Sequence, residues 1–307
     1  MKKFILPLMS IFAMFSCSED DVQTSVETPL VITKEDYNTN YSVGGTKFAF
    51  FNAENTAVSI PVPGENQTWD FSTLTEIFSV ENGGENFLTP SNAAFPSATY
   101  SYTSQSSYNV SGFASDTYDI TYFAEISDSG AYNLGFSQDE PATLYVASLD
   151  ATFNYGLQNR NYTGTTKYAS VIFPAKMGNA PVTVNDITDT SSFTVTAAAF
   201  GLSNVPGQTS FTTDLTLEII ASGTANLKGI GNKRVLVAKT SYTQTTNYFL
   251  GGAPAPEALL TNLGVTDGAS TTGTTYRFIA EGLGTVGVIE VNDLGQIYFA
   301  SFRKAIQ

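Results

Sequence analysis

The segment R-V-L-V-A-K-T-S-Y-T-Q-T-T-N-Y-F-L, from Arg234 to Leu250, decides the fold. It starts with a run of apolar residues and continues with threonine, tyrosine and asparagine in alternation, a composition that favours extended backbone. A single strand of this length would span about 56 Å. Because few strands run that far unbroken, we expect a bend or bulge midway, near Thr240 to Thr243.

The same kind of pattern recurs along the chain, with runs of β-branched and aromatic residues between turn clusters and no long helical periodicity. The clearest case is a hairpin in which Val286–Val291 and Gln296–Phe302 flank Asn292–Gly295. One short helix is predicted at Pro256–Leu263. The sequence predicts an all-β fold, a large antiparallel β-sandwich or barrel-like sheet with at most one short helix. The other predicted strands are Lys47–Asn52, Thr56–Val62, Thr68–Leu74, Ser97–Thr103, Tyr118–Ile126, Ala131–Phe136, Thr143–Tyr155 and Asp214–Ala221.

The N-terminus has the layout of a bacterial lipoprotein signal. Two lysines precede an apolar run from Phe4 to Phe15, and Ser16 stands before Cys17. As a helix this run would reach about 18 Å, short of a hydrocarbon core of about 30 Å. We therefore predict a cleaved signal peptide over residues 1–16 and lipidation of Cys17. An uncleaved anchor and an ordinary secretory signal with an incidental cysteine are the alternatives.

Cys17 is followed by a serine and three acidic residues, Ser18, Glu19, Asp20 and Asp21. This run resembles the surface-export signal of lipoproteins from the Bacteroidota, which implies a lipid-anchored protein of the outer membrane that faces the cell exterior. Residues 17–35 are polar and acidic, a composition typical of a flexible tether. Residues 36–307 are predicted to form the β-rich domain, with a division into two packed subdomains near residue 160 left open.

Charge and composition exclude several classes of function. The chain has 14 basic and 28 acidic side chains; removing residues 1–16 takes away two lysines and no acid, so the mature chain has 12 against 28, a net charge of -16. Such a field repels nucleic acid and anionic lipid. Histidine is absent and Cys17 is the single cysteine. These absences exclude histidine-dependent catalysis, disulfides and histidine or thiolate metal sites. We expect no cofactor, no metal and no nucleic-acid partner.

The segment Gly64–Ser72, G-E-N-Q-T-W-D-F-S, resembles one that is common in secreted proteins of flavobacteria and their relatives, many of them carried by the type IX secretion system. Looser similarity extends to Phe173-Pro174 with Gly178, to Arg234–Lys239, and to the closing segment from Tyr276 to Val291. Those relatives usually end in a separate sorting domain, whose role the lipid signal would take over here. The resemblance implies a β-rich fold and a surface location, and it adds no active site.

Aromatic side chains are the best candidates for ligand binding. Tyr100 and Tyr102 share one face of a predicted strand about 6.6 Å apart, and Tyr118 and Tyr122 share another at about twice that distance. Exposed rings in a row can stack on sugars or anchor a protein partner, whereas buried rings fill a core. The neighbours of Trp69, the single tryptophan, favour a core position for it. The serine and threonine residues around Tyr100 and Tyr102 favour exposure.

Carboxylate pairs are the remaining route to general acid–base catalysis. Glycosidases hold two such groups about 5–9.5 Å apart. Asp214 and Glu218 share a predicted strand face at about 13 Å, and Asp139 and Glu140 are adjacent in a turn. The sequence thus favours a non-catalytic surface lipoprotein that binds a glycan or an envelope protein. A carboxylate-dependent glycan hydrolase and a purely structural envelope component are the alternatives.

Overall fold

The structure is a computed structural model that describes residues 28–37, 42–43, 46–79, 91–107, 113–115 and 117–306. The predicted lipoprotein signal, Cys17 and the acidic run lie outside these residues. The described chain is all-β, as the sequence predicts, with one short helix, α1 (Glu257–Leu263). Its strands are β1 (Val31–Ile32), β2 (Ser42–Val43), β3 (Thr46–Ala53), β4 (Gly64–Asp70), β5 (Glu76–Ser79), β6 (Tyr100–Ser107), β7 (Phe113–Ser115), β8 (Thr117–Ser127), β9 (Gly130–Gln138), β10 (Ala142–Val146), β11 (Ala151–Tyr155), β12 (Gln158–Asn161), β13 (Tyr168–Ile172), β14 (Ala175–Lys176), β15 (Val182–Ala197), β16 (Leu202–Leu227), β17 (Gly231–Leu250), β18 (Ala253–Pro254), β19 (Ala269–Ala280), β20 (Gly284–Val291) and β21 (Ile297–Ile306).

Strand β17 contains the segment that decides the fold, and it is buried on both faces in its first half. Each residue from Val235 to Ala238 has 0% of its surface exposed. Val235 and Val237 belong to one hydrophobic core, and Leu236 and Ala238 belong to a second core on the opposite face. A strand covered on both faces needs a continuous apolar run, because no residue in it meets water. The alternating polar half that follows is only partly buried.

The predicted bend in this strand at Thr240–Thr243 is wrong. β17 is antiparallel to β19 with an unbroken register from Val235 to Thr246. The irregularity lies in the neighbouring strand β16, where the register with β17 shifts between Ile219 and Ala221. A bulge adds one residue to one strand of a pair and increases its twist. Here Ile220 and Ala221 consequently join the same core.

The large sheet has 14 strands. Its main path runs β2-β3-β21-β20-β19-β17-β16-β15-β11-β10-β7, and β5, β18 and β4 pair with β3, β17 and β16. β16 is 26 residues long and changes partner along its length. Residues 202–217 pair with β15, and residues 221–226 pair in parallel with β4. The first core lies against this parallel pair of strands. In it the ring of Phe71 contacts those of Phe278 and Phe302.

A five-stranded sheet covers part of the other face of the large sheet. Its order is β12-β9-β8-β6, with β13 also paired to β9. The second core fills the space between the sheets, with Ala131 and Val171 on one side and Leu215 and Leu236 on the other. Polar contacts from β12 also join them, since Gln158 bonds to the side chain of Gln138 at 3.2 Å and to the backbone N–H of Ser192 at 3.0 Å.

Local predictions had mixed outcomes. The closing hairpin and the short helix before Gly264 are confirmed. The predicted strand Thr143–Tyr155 is a hairpin of two strands, β10 and β11, because the chain reverses at Asp150, which has φ 46°. The predicted strand Thr56–Val62 is wrong: Asn55–Ala57 forms a 3-10 turn, and the residues that follow are irregular. Prolines at 61 and 63 remove the backbone donors that a strand there would need.

Near both predicted domain boundaries, the structure contains strand pairings that the composition did not indicate. Residues 28–35 fall in the predicted tether, yet β1 pairs with β14 and Ile32 is fully buried in the second core. A cut near residue 160 does not separate the two sheets, since β10 and β11 belong to the large sheet whereas β13 belongs to the five-stranded one. Within the described part of the chain, no helix combines the length and apolar character required to cross a membrane.

The double burial of β17 gives the first prediction. Leu236 is fully buried, whereas Leu294, at the tip of the closing hairpin, is 75% exposed. Leu236→Ala is expected to lower the free energy of unfolding by about 2–5 kcal/mol, and the matched control Leu294→Ala by less than about 0.5 kcal/mol. Urea unfolding followed by the fluorescence of Trp69 measures both. Equal losses for the two variants would contradict the assignment of β17 to the centre of the fold.

Candidate binding cleft

A cleft of about 650 Å³ lies between the five-stranded sheet and the edge of the large sheet formed by β3, β19, β20 and β21. Ligand pockets commonly have volumes of about 300–1,000 Å³. Eight tyrosines of the described chain line it, out of 16 in the whole sequence. They are Tyr37, Tyr100, Tyr102, Tyr122, Tyr132, Tyr162, Tyr168 and Tyr298. The cleft therefore gathers rings from strands that are far apart in the sequence.

Three of the predicted binding residues form a row on one wall. The ring centroids of Tyr100 and Tyr102 are 5.9 Å apart on β6, and those of Tyr102 and Tyr122 are 4.9 Å apart with an interplanar angle of 17°. Tyr102 and Tyr122 are directly opposite each other in the β6–β8 register, which brings their side chains together. Tyr118 lies in β8 opposite Ser106, and its side chain is outside the described part of the structure.

The structure does not bring Trp69 to this cleft. Trp69 lies in β4, and its ring meets Phe278 edge to face at 5.2 Å beside the first core. Phe278 and the cleft residue Arg277 are successive residues of β19 and point to opposite faces of the sheet. The position of Trp69 fits the core packing that its neighbours predict.

Several phenols in the cleft have a raised pKa. Burial raises the pKa of Tyr37, whose hydroxyl is 3.1 Å from that of Thr285. Burial also raises the pKa of Tyr168. The pKa of Tyr298 is raised by burial and by the negative charge of Glu290. A phenol hydroxyl can both donate and accept a hydrogen bond, so the lining offers hydrogen-bond donors and acceptors together.

Three charged residues line the cleft in its described part: Arg277, Glu290 and Arg303. Arg303 is buried; its Nη1 donates to the carbonyl of Leu283 at 2.6 Å, and its guanidinium lies 5.3 Å from the ring centre of Phe50. Nη1 of Arg277 donates to the hydroxyl of Thr240 at 3.3 Å. Glu290 is the one carboxylate among the described lining residues, so this lining holds no pair of acids of the kind that glycosidases use.

Asp214 and Glu218, one of the acidic pairs considered from the sequence, lie outside the cleft lining and have other partners. A carboxylate oxygen of Asp214 accepts the backbone N–H of Asp186 at 2.8 Å, which fixes a bulge in β15. Glu218 pairs with Lys239 at 3.1 Å. Among the described residues, no three acidic or cysteine side chains are grouped in a way that could hold a metal ion.

A buried ion pair supports the wall behind the tyrosine row. Arg160 is opposite Phe136 in the β12–β9 register, and Asp189 is opposite Phe211 in the β15–β16 register. The two strand pairs face each other across the sheets. The guanidinium of Arg160 lies 4.8 Å from the ring centre of Phe136 and 4.6 Å from that of Phe211. Its Nε donates a hydrogen bond to Asp189 at 2.8 Å. The ring of Phe136 in turn contacts Tyr122 at 5.6 Å.

Sequence reasoning missed most of the lining. Tyr162 follows β12 and Tyr298 lies in the closing hairpin, and nothing in their local pattern distinguishes them from core tyrosines. A register shift between Glu290 and Val291 places Tyr298 as the extra residue of β21. Only the pairing between strands reveals these positions, because the cleft is assembled from contacts that are distant along the chain.

The pair of Arg160 and Asp189 gives a pH-dependent prediction. Burial raises the pKa of Asp189, and the guanidinium of Arg160 opposes that shift. Arg160→Met leaves the carboxylate buried without its cation, which is expected to cost about 3–5 kcal/mol of unfolding free energy at pH 7. The pKa of Asp189 in the folded variant then rises further above its unfolded value of about 3.9. The loss of unfolding free energy in Arg160→Met is therefore complete above that raised pKa. It becomes smaller as the pH falls toward the pKa of Asp189 in the unfolded chain.

Urea unfolding at pH 7 and pH 4 measures this difference. The control is Lys34→Met, which removes a solvent-exposed ion pair with Asp128 and is expected to leave stability unchanged at both pH values. If the loss in Arg160→Met is the same at both pH values, its cause is the lost packing on the two rings and the buried carboxylate is not responsible.

No protein-family model matches this chain. A comparison with curated proteins likewise finds no match. Among solved structures, the chain is similar to a "putative exported protein with YmcC-like fold" from Bacteroides fragilis, with 9% sequence identity over 68% of this chain and 88% of that one, and a TM-score of 0.21. A similarity at this level carries no argument about fold or function.

Proposed function

We propose that this protein is a non-catalytic saccharide-binding lipoprotein on the outer surface of a cell of the Bacteroidota. The observation that carries the proposal is the cleft, in which eight tyrosines of the described chain line a space of about 650 Å³. A sugar ring has apolar C–H faces and a rim of hydroxyl groups. Tyrosine matches both, because its ring stacks and its hydroxyl exchanges hydrogen bonds.

The geometry of the tyrosine row suits stacking. The rings of Tyr102 and Tyr122 stack on each other, and Tyr100 lies 5.9 Å from Tyr102, so the three rings form one continuous aromatic wall of the cleft. The opposite wall supplies polar groups, including Thr285, Ser301 and the phenol of Tyr298. A ligand that is apolar on one side and hydroxyl-rich on the other fits this pairing better than a uniformly apolar ligand.

The alternatives receive less support. A glycan hydrolase needs a second carboxylate near Glu290, and the described lining has none. An envelope protein partner would bury about 800 Å² on each side, most often across a broad surface, whereas this feature is concave and of small-ligand size. A purely structural role gives no reason for the convergence of phenols on one cleft.

The surface location rests on the N-terminal signal. Lipidation of Cys17 would anchor the mature chain in the outer membrane, and the acidic run from Ser18 to Asp21 would direct it outward. In that setting the cleft meets extracellular saccharides.

Removal of the tyrosine row tests the binding function. Titration calorimetry of residues 18–307 against a panel of neutral and acidic oligosaccharides is expected to find at least one ligand. The double change Tyr100→Ala with Tyr102→Ala is expected to weaken its binding about tenfold or more, since each stacked ring contributes about 0.5–1.5 kcal/mol beyond its buried area. Tyr102→Phe should retain most of the affinity because it keeps the ring.

The control is Tyr145→Ala. Tyr145 is 41% exposed on β10 and donates to Asp150, and it is not part of the cleft lining. Circular dichroism verifies that each variant is folded. Unchanged binding in the double variant, or no saccharide bound by the native chain, would overturn the proposal.

Protease treatment of intact cells tests the location. Native protein is expected to be cleaved from outside, whereas a variant with Glu19, Asp20 and Asp21 changed to alanine should be anchored but protected. Cys17→Ala should lose membrane attachment. Protection of the native protein on cells shown to be intact would move it inside the envelope and contradict the surface assignment.

A further inference from the structure

We propose that the cleft selects an acidic saccharide, one that carries a carboxylate or sulfate group, and that Arg277 binds this anionic group. The inference rests on the proposed saccharide-binding function and names the class of its ligand. Its first support is that the balance of acidic and basic residues in the cleft is opposite to that of the whole chain. The chain has twice as many acidic as basic side chains, yet the described cleft lining has two arginines and one glutamate.

Unlike most cationic side chains of the described chain, Arg277 has no carboxylate partner there. Seven other cationic side chains of the described chain pair with a carboxylate within 4.0 Å. Arg277 has no such pair among the described residues, and its one hydrogen bond to a described side chain goes from Nη1 to the hydroxyl of Thr240. A guanidinium has five N–H donors in a planar fork that matches the oxygens of a carboxylate or sulfate. Arg277 thus has donors available for a ligand.

The position of Arg277 places its charge where a ligand would lie. It is opposite Val288 in the β19–β20 register, and both residues line the cleft. Its positive charge lowers the pKa of Tyr37 and of Tyr168, against the effect of burial. The guanidinium therefore acts on two phenols of the lining, and an anion held between them would receive hydrogen bonds from arginine and tyrosine together.

Glu290, the one acid in the described lining, acts on a different group. Its carboxylate raises the pKa of the Tyr298 phenol. Glu290 forms no ion pair with Arg277 among the described residues, and Arg277 bonds to the neutral hydroxyl of Thr240. The overall negative charge of the chain disfavours anions in general. A fixed arginine in the cleft then provides selectivity for an anion that also presents a stackable ring.

The test compares oligosaccharides that differ only in charge. Titration calorimetry of residues 18–307 uses oligogalacturonate and its methyl-esterified form of equal length as the carboxylate pair, and a sulfated oligosaccharide and its desulfated form as the second pair. For at least one pair the native chain is expected to bind the charged form about tenfold tighter or more. Arg277→Gln is expected to remove that preference by weakening binding of the charged form about tenfold or more, and to change binding of the neutral form much less.

Two further variants make the result specific. Lys176→Gln removes the same charge from an exposed position on β14, outside the cleft lining, and should keep the preference. Arg277→Lys keeps the charge but loses the planar fork, so it should retain a reduced preference; it also serves as the test protein if Arg277→Gln does not fold.

The outcomes separate the two proposals. Equal binding of charged and neutral forms by the native chain, or an unchanged preference in Arg277→Gln, overturns the acidic-ligand inference while the saccharide-binding function stands. No binding of any saccharide overturns both.

Discussion

The structure depends on the burial of one strand segment on both of its faces. The four residues Val235–Ala238 separate two hydrophobic cores, and each core needs a cover of its own. On one face, the closing strands β20 and β21 and the parallel strand β4 provide it. On the other face, the five-stranded sheet together with β1 and β14 provides it. A polar residue in this segment would meet no water on either side, so the apolar run is a requirement of the whole architecture.

The cleft follows from how the second cover is placed. Members of the second core come from β15, β16, β17 and β19 of the large sheet, and the described members include none from β20 or β21. The five-stranded sheet therefore leaves the near face of these two strands open. Their inward-pointing residues, such as Arg277's neighbour Val288, then line a cleft where a core would otherwise continue. The same register that directs Phe278 and Ile289 into the first core directs these residues toward the cleft.

The sequence predicted the parts of this fold that depend on local pattern. The apolar run in β17, the closing hairpin with Gly295 at positive φ, and the helix ended by Gly264 are readable because neighbours along the chain determine them. The bulge in β16 was not readable, because it results from pairing with another strand. For the site, the alternation in β6 identified Tyr100 and Tyr102, and β8 added Tyr122. Their partners Tyr37, Tyr162 and Tyr298 reach the cleft through contacts between sheets that no local pattern encodes.

The pairing of β1 with β14 has a consequence for how the molecule would stand on a membrane. It fixes the start of the described chain against the body of the protein, a few residues before Tyr37 enters the cleft. From Cys17 to Thr28 there are eleven residue steps, which reach at most about 40 Å even when fully extended. On the proposed lipid anchoring, the cleft would work within a few nanometres of the bilayer. A saccharide would therefore have to reach this layer beside the membrane before it could bind.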